Sequence, residues 1–142
     1  MYYHRGLMKV LDHIRAKYLK LVMQLSAGGG ARVDYLYRLV SPYDNKGVAS
    51  LMYVTPEKDK AVFYAYKISH FINMVIPVVR MNGLEPSKNY RLVGLTPVDK
   101  EKPCALNGKV ISGKLLMEEG IALKSLLKSE YSSLALGLQV ID

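Results

Sequence analysis

Few residues in this chain of 142 have the type and spacing that chemistry requires. Cys104 is the only cysteine, which excludes an internal disulfide and a cysteine-based zinc site. His4, His13 and His70 are scattered, without metal-ligand spacing, and read as ordinary surface or partly packed residues. No metal and no cofactor is expected. Glu118 and Glu119 adjoin in sequence and would diverge on a strand, while Asp44 falls in the turn-like "SPYDNKG". The stretch with most promise is "QLSAGGGARVDYLY" (24–37), where Gly28, Gly29 and Gly30 end an apolar run and Arg32 and Asp34 follow. Successive glycines cost backbone entropy, so they mark a tight bend or a place where a ligand approaches the backbone. The pattern is either the rim of a site or a joint between two pieces of structure.

Composition narrows the setting. Half of the residues are apolar and 23% are charged, which is usual for a globular domain. The length suits one core with a small appendage. No apolar run approaches the roughly 20 residues that span a bilayer, so no membrane association is expected. The start, "MYYHRGLMKV", lacks a charged region followed by an unbroken hydrophobic stretch, so the cytoplasm is the default location. A formal charge of +8 invites a nucleic-acid partner. Its distribution argues against one: half of the excess lies in residues 1–20, and the rest is spread through mixed-sign turns such as "EKDK" and "DKEK".

The elements that must position these residues follow from periodicity. Tyr3, Leu7, Val10, Leu11, Ile14 and Tyr18 recur at helical spacing, and "LVMQLSA" after Lys20 reads as a short buried strand. From Tyr35 the period becomes that of strands. "YLYRLV" (35–40), "ASLMYVT" (49–55), "AVFYAYKI" (61–68), "MVIPVVRM" (74–81), "NYRLVGL" (89–95) and "YSSLALGLQV" (131–140) are separated by turn-rich segments. Pro77 marks the fourth as an edge strand or a bulge, and "NGK" (107–109) is a tight turn. "SGKLLMEEG" (112–120) reads as one short helical turn capped by Ser112 and stopped by Gly120. The fold class is therefore mainly β, an antiparallel β-sandwich with an N-terminal helix–strand appendage. Eleven tyrosines sit chiefly in the strands, where half-buried aromatics fit a pleated surface; a sugar-stacking platform is the other use for them.

These segments resemble two parts of one family. "GLMKVLDHIRAKYLKLVMQLSAGGGARVDY" (6–35) is similar, without gaps, to part of the catalytic barrel of the glycoside hydrolase family 36 α-galactosidases. There a helix ending "RIRAKYP" leads to a barrel strand and a "CASGGGRxDYG" loop. The remainder resembles the C-terminal β-domain of the same enzymes, through "LYRLVSP", "NGLEPSKNYRL" and "LLMEEGI". The resemblance thus implies two units, 1–34 as a barrel remnant and 35–142 as the C-terminal β-sandwich.

The family joins these parts through the rest of its barrel, which this sequence does not contain. Retaining hydrolysis needs two carboxyl groups about 5 Å apart. The resemblance places the nucleophile in a "KWDxN" motif and the acid/base in an "SDxxD" motif, and neither is present, so no catalytic residue is assigned. In the loop the family's cysteine falls on Ser26, its serine on Gly28 and its last glycine on Ala31. Ser26, Gly29 and Arg32 are the vestigial substrate-binding positions that the resemblance implies. The expected function is that of a non-catalytic, structural or assembly β-domain of an α-galactosidase-like enzyme. A galactoside or oligosaccharide would be the ligand of the parent enzyme, and the N-terminal segment would support a homodimer. The alternative is a carbohydrate-binding module that uses exposed tyrosines.

Overall fold

The computed structural model describes residues 9–10, 12–14, 16–17, 35–44, 47–69, 74–95 and 104–141. The described residues between 9 and 17 are helical, as the spacing predicts, and Val10 on that helix is 55% exposed. The expected strand at "LVMQLSA" lies outside the described residues.

Among the described residues eight strands follow: β1 (Tyr35–Val40), β2 (Val48–Val54), β3 (Lys60–Lys67), β4 (Val78–Val79), β5 (Asn89–Gly94), β6 (Val110–Ser112), β7 (Ile121–Ala122) and β8 (Ser133–Ile141). The helix α1 (Gly113–Glu118) and a 3-10 turn (Leu123–Ser125) flank β7. Six strands form one antiparallel sheet in the order β1-β2-β3-β8-β5-β6, and β4 pairs with β7 in a second, two-stranded sheet. Strand β8 closes the domain, because it pairs with β3 on one side and with β5 on the other. The mainly β sandwich expected from the strand spacing is the observed architecture.

Alternation sorts the side chains of the large sheet into two faces. Inward, Met52, Phe63 and Leu136 stand in one cross-strand row, and Val54, Ala61, Leu138 and Leu92 in the next. The small sheet and the segments around it supply the opposing layer, with Val79, Met81, Leu84, Leu116, Ile121, Leu123 and Leu127 all buried. Burying each large apolar side chain is worth about 1.5–3 kcal/mol, so this two-layer core stabilises the β-domain.

Local chemistry ends the elements where the sequence predicts. The Ser112 hydroxyl accepts from the Leu115 backbone N–H at 3.2 Å, capping α1. Gly120 stops that helix with a φ of 77°, and a Cβ there would meet the Val79 carbonyl oxygen, so only glycine fits. Gly108 makes the turn before β6, and its N–H donates to the Leu92 carbonyl at 2.8 Å.

Two expectations need correction. "MVIPVVRM" is not a strand along its length: only Val78 and Val79 join a ladder, and that ladder is the small sheet. Pro77 has no N–H to give, and residues 74–77 carry no regular structure. Glu118 and Glu119 do not lie on a strand either. Glu118 is the last residue of α1 and Glu119 its cap, both exposed and about 100° apart around the helix.

Candidate functional site

Ser26, Gly29 and Arg32, the vestigial sugar-binding positions, lie outside the described residues, as does Asp34. What the structure does place is every acid between Asp44 and Glu130 apart from Asp99 and Glu101. Asp44 is an exposed turn residue whose N–H donates to the Ser41 carbonyl at 3.2 Å. Among the described residues no carboxylate is buried, and Lys67 is the one buried charged side chain. Among the described residues no group of three His, Cys, Asp or Glu side chains could hold a metal ion.

Two half-buried acids do converge, on Tyr90. This tyrosine is fully buried; its hydroxyl donates to the Lys58 carbonyl at 2.7 Å and accepts from the Glu85 N–H at 3.0 Å. Burial raises its pKa above the ordinary value, the Glu85 N–H opposes that, and the carboxylates of Glu85 and Asp59 add to it. Each acid is already engaged: Asp59 accepts from the Thr55 hydroxyl at 2.6 Å and Glu85 from the Ser87 hydroxyl at 3.3 Å. The arrangement ties the β2–β3 hairpin to the "NGLEPSKNY" turn. It is a clasp, with its donors and acceptors spent on one another.

The feature that sequence reasoning located only by residue type is the outward face of the large sheet. Leu36, Tyr53, Val62, Gly137 and Val93 form one row across five strands, and Arg38, Leu51, Tyr64 and Ala135 the next. Tyr66 follows, opposite Ala49 and Ser133. The Tyr53 and Tyr64 rings meet edge to face with centroids 6.5 Å apart, and those of Tyr64 and Tyr66 are parallel at 6.4 Å. Burial first, then the neighbouring Tyr66 and Tyr53 phenols, raise the Tyr64 pKa. Tyr43 and Tyr131, 93% and 73% exposed, lie on turns.

The fold is a β-sandwich in which the last strand, β8, stands between β3 and β5. The profile of the Glycosyl hydrolase family 36 C-terminal domain matches residues 48–138, well over half of the chain, and the chain belongs to that family. No curated protein matches it. Among solved structures it is similar to the α-galactosidase AgaA from Geobacillus stearothermophilus, with a TM-score of 0.60 and 23% identity over 78% of this chain and 13% of that one. The galactosidase domain of the α-galactosidase–sucrose kinase AgaSK gives 0.58 and 24%, over 76% and 13%. The α-galactosidase from Lactobacillus brevis gives 0.58 and 17%, over 79% and 14%. At these identities the likeness establishes the shared fold, and the chain spans about one-eighth of each enzyme's length.

Proposed function

We propose that this chain acts as the non-catalytic accessory β-domain of an α-galactosidase-type glycoside hydrolase, with residues 1–34 as a remnant of the catalytic barrel. The observation that carries the reading is the family match over 48–138, which runs from β2 into β8, includes the covering layer, and contains no buried carboxylate among the described residues. Its role is structural: a closed sandwich that supports a neighbouring domain. AgaA has been crystallised with raffinose and with stachyose, so an α-galactoside is the ligand class of the parent enzyme.

The purified chain is expected to leave an aryl α-galactoside unhydrolysed above the buffer rate. Losing one member of a catalytic constellation already costs orders of magnitude in rate. Turnover that follows the protein through two chromatographic steps would contradict the proposal. Rebuilding the loop as Ser26→Cys, Gly28→Ser and Ala31→Gly is expected to give no saturable galactose binding by calorimetry, because one loop supplies none of the opposing walls of a site.

Two further readings have their own supports. The exposed Val10 on the N-terminal helix favours dimerisation through that segment, which light scattering with and without residues 1–33 tests. The cluster of Tyr53, Tyr64 and Tyr66 is where a carbohydrate-binding module would stack a sugar. Glycan-array binding that disappears in Tyr66→Ala would favour that alternative, and a silent array favours the accessory domain.

A further inference from the structure

Two Asn–Gly pairs occur in the chain, Asn82–Gly83 and Asn107–Gly108, and the fold treats them differently. An asparagine side chain is an electrophile beside a backbone nitrogen, and a following glycine leaves that nitrogen unshielded because it carries no Cβ. Asparagine is accordingly among the thermolabile residue types. The reaction depends on whether the nitrogen can reach the side-chain carbon, and on what else engages the two groups.

At Asn107–Gly108 both groups are engaged elsewhere. The Gly94 N–H donates to Asn107 Oδ1 at 3.0 Å, and the Gly108 N–H donates to the Leu92 carbonyl at 2.8 Å. Attack there has to break both bonds and part the turn from β5. At Asn82–Gly83 the same two groups face each other, since the Gly83 N–H donates to Asn82 Oδ1 at 2.8 Å. A carbonyl carbon lies about 1.23 Å from its oxygen, so the nitrogen stands within about 4 Å of Asn82 Cγ. Rotation of the side chain closes the gap to the roughly 3–3.5 Å at which attack begins. Asn82 is exposed, so water reaches the site.

The turn is also pinned to the core. The Asn82 N–H donates to Sδ of the fully buried Met52 at 3.4 Å, and Met81 and Leu84 on either side of the pair are buried. Gly83 has a φ of 75° and lies so close to the Tyr37 ring that a Cβ there would collide with it.

We propose that Asn82 is a site of spontaneous deamidation that Asn107 resists, and that its isoaspartyl product loosens the turn over the core. The Gly83 nitrogen gives its proton to solvent and bonds to Asn82 Cγ. The bond from Cγ to the side-chain nitrogen breaks, and that nitrogen takes a proton from solvent and leaves as ammonia. Water then opens the five-membered succinimide at either carbonyl, giving aspartate or isoaspartate. Both products carry a new negative charge. Isoaspartate also routes the backbone through Cβ and Cγ, and the added length has to displace Gly83 from Tyr37 or Asn82 from Met52.

The test incubates the full chain in mildly alkaline buffer and follows the peptides that contain residues 82 and 107 by mass spectrometry. An L-isoaspartyl methyltransferase with labelled S-adenosylmethionine is the probe for isoaspartate. In the folded chain, conversion at Asn82 is expected to run about tenfold or more ahead of Asn107, a barrier difference of about 1.4 kcal/mol. In urea that unfolds the chain, the two sites are expected to react at similar rates. Asn82→Gln, whose longer side chain has to close a larger ring, should remove the isoaspartate signal at residue 82. Chain converted at Asn82 should melt a few degrees or more below fresh chain, while equally aged Asn82→Gln keeps its own midpoint. If that variant fails to fold, the ratio of the two sites in the unchanged chain carries the decision. Equal or faster conversion at Asn107 in the folded chain overturns the proposed site. The same ratio in urea as in buffer would trace the difference to local sequence and overturn the role of the fold. An unchanged midpoint after conversion at Asn82 overturns the loosening.

Discussion

The two faces of the six-stranded sheet have nearly the same chemistry and are covered to different extents. Inward, Met52, Phe63 and Leu136 are fully buried beneath the layer of β4, β7 and the 3-10 turn. Outward, Leu36, Tyr66 and Leu95 are also apolar and stay at least 38% exposed. The difference is one of degree, since Tyr53 and Val62 on the outward face are 9% and 4% exposed while the residues beside them stay open. Apolar content therefore says that a surface is to be buried, and the topology says how far the same chain buries it.

Substitutions on the two faces sharpen this contrast. Phe63→Ala removes a fully buried ring and is expected to cost about 3–5 kcal/mol, read as a lowered midpoint in urea. An outcome near zero would mean that the inner face is not the core. Gly120→Ala puts a side chain at positive φ against the Val79 carbonyl and should cost about 1–3 kcal/mol by the same measurement. Tyr90→Phe leaves the Lys58 carbonyl and the Glu85 N–H without their partner, at about 1–3 kcal/mol.

The raised pKa of Tyr90 also fixes the sign of a pH effect. The folded chain holds this proton more tightly than the unfolded chain, so its contribution is complete below pH 10, the unfolded value. It is lost as the pH rises through the higher folded value. Alkaline melts are expected to show stability falling above pH 10, with a shallower fall in Tyr90→Phe; identical slopes would separate Tyr90 from the effect. The smallest change is expected outward, where Tyr66→Ala at a partly exposed position should shift stability by about 0.5 kcal/mol or less in the isolated chain. A large loss there would mean that the chain already covers that position.

Much of the fold was legible wherever local signals are strong. The β2–β3 hairpin announced itself by two apolar runs around "PEKDK", and α1 by Ser112 and Gly120 at its ends. Strands β6 and β7 were missed because three and two residues show no period. Their pairing comes from contacts with β5 and β4, which is tertiary information. The segment 74–81 was overread for the related reason that an apolar run describes burial better than it describes a ladder. Tyr90 could not be picked out among eleven tyrosines, since its partners Lys58 and Glu85 meet it only after the hairpin and the "NGLEPSKNY" turn come together. The outward face escaped for the opposite reason: its residues were all read as strand, but which of them share a side depends on the strand order.

The account rests on the proposal that residues 35–142 form a β-domain that folds without residues 1–34. Thermal melts of residues 35–142 beside the full chain test this most directly. A single cooperative transition in the shortened chain, within a few degrees of the full chain's midpoint, is the predicted result. A shortened chain without a cooperative transition would make the N-terminal segment part of the core and contradict the division on which the account is built.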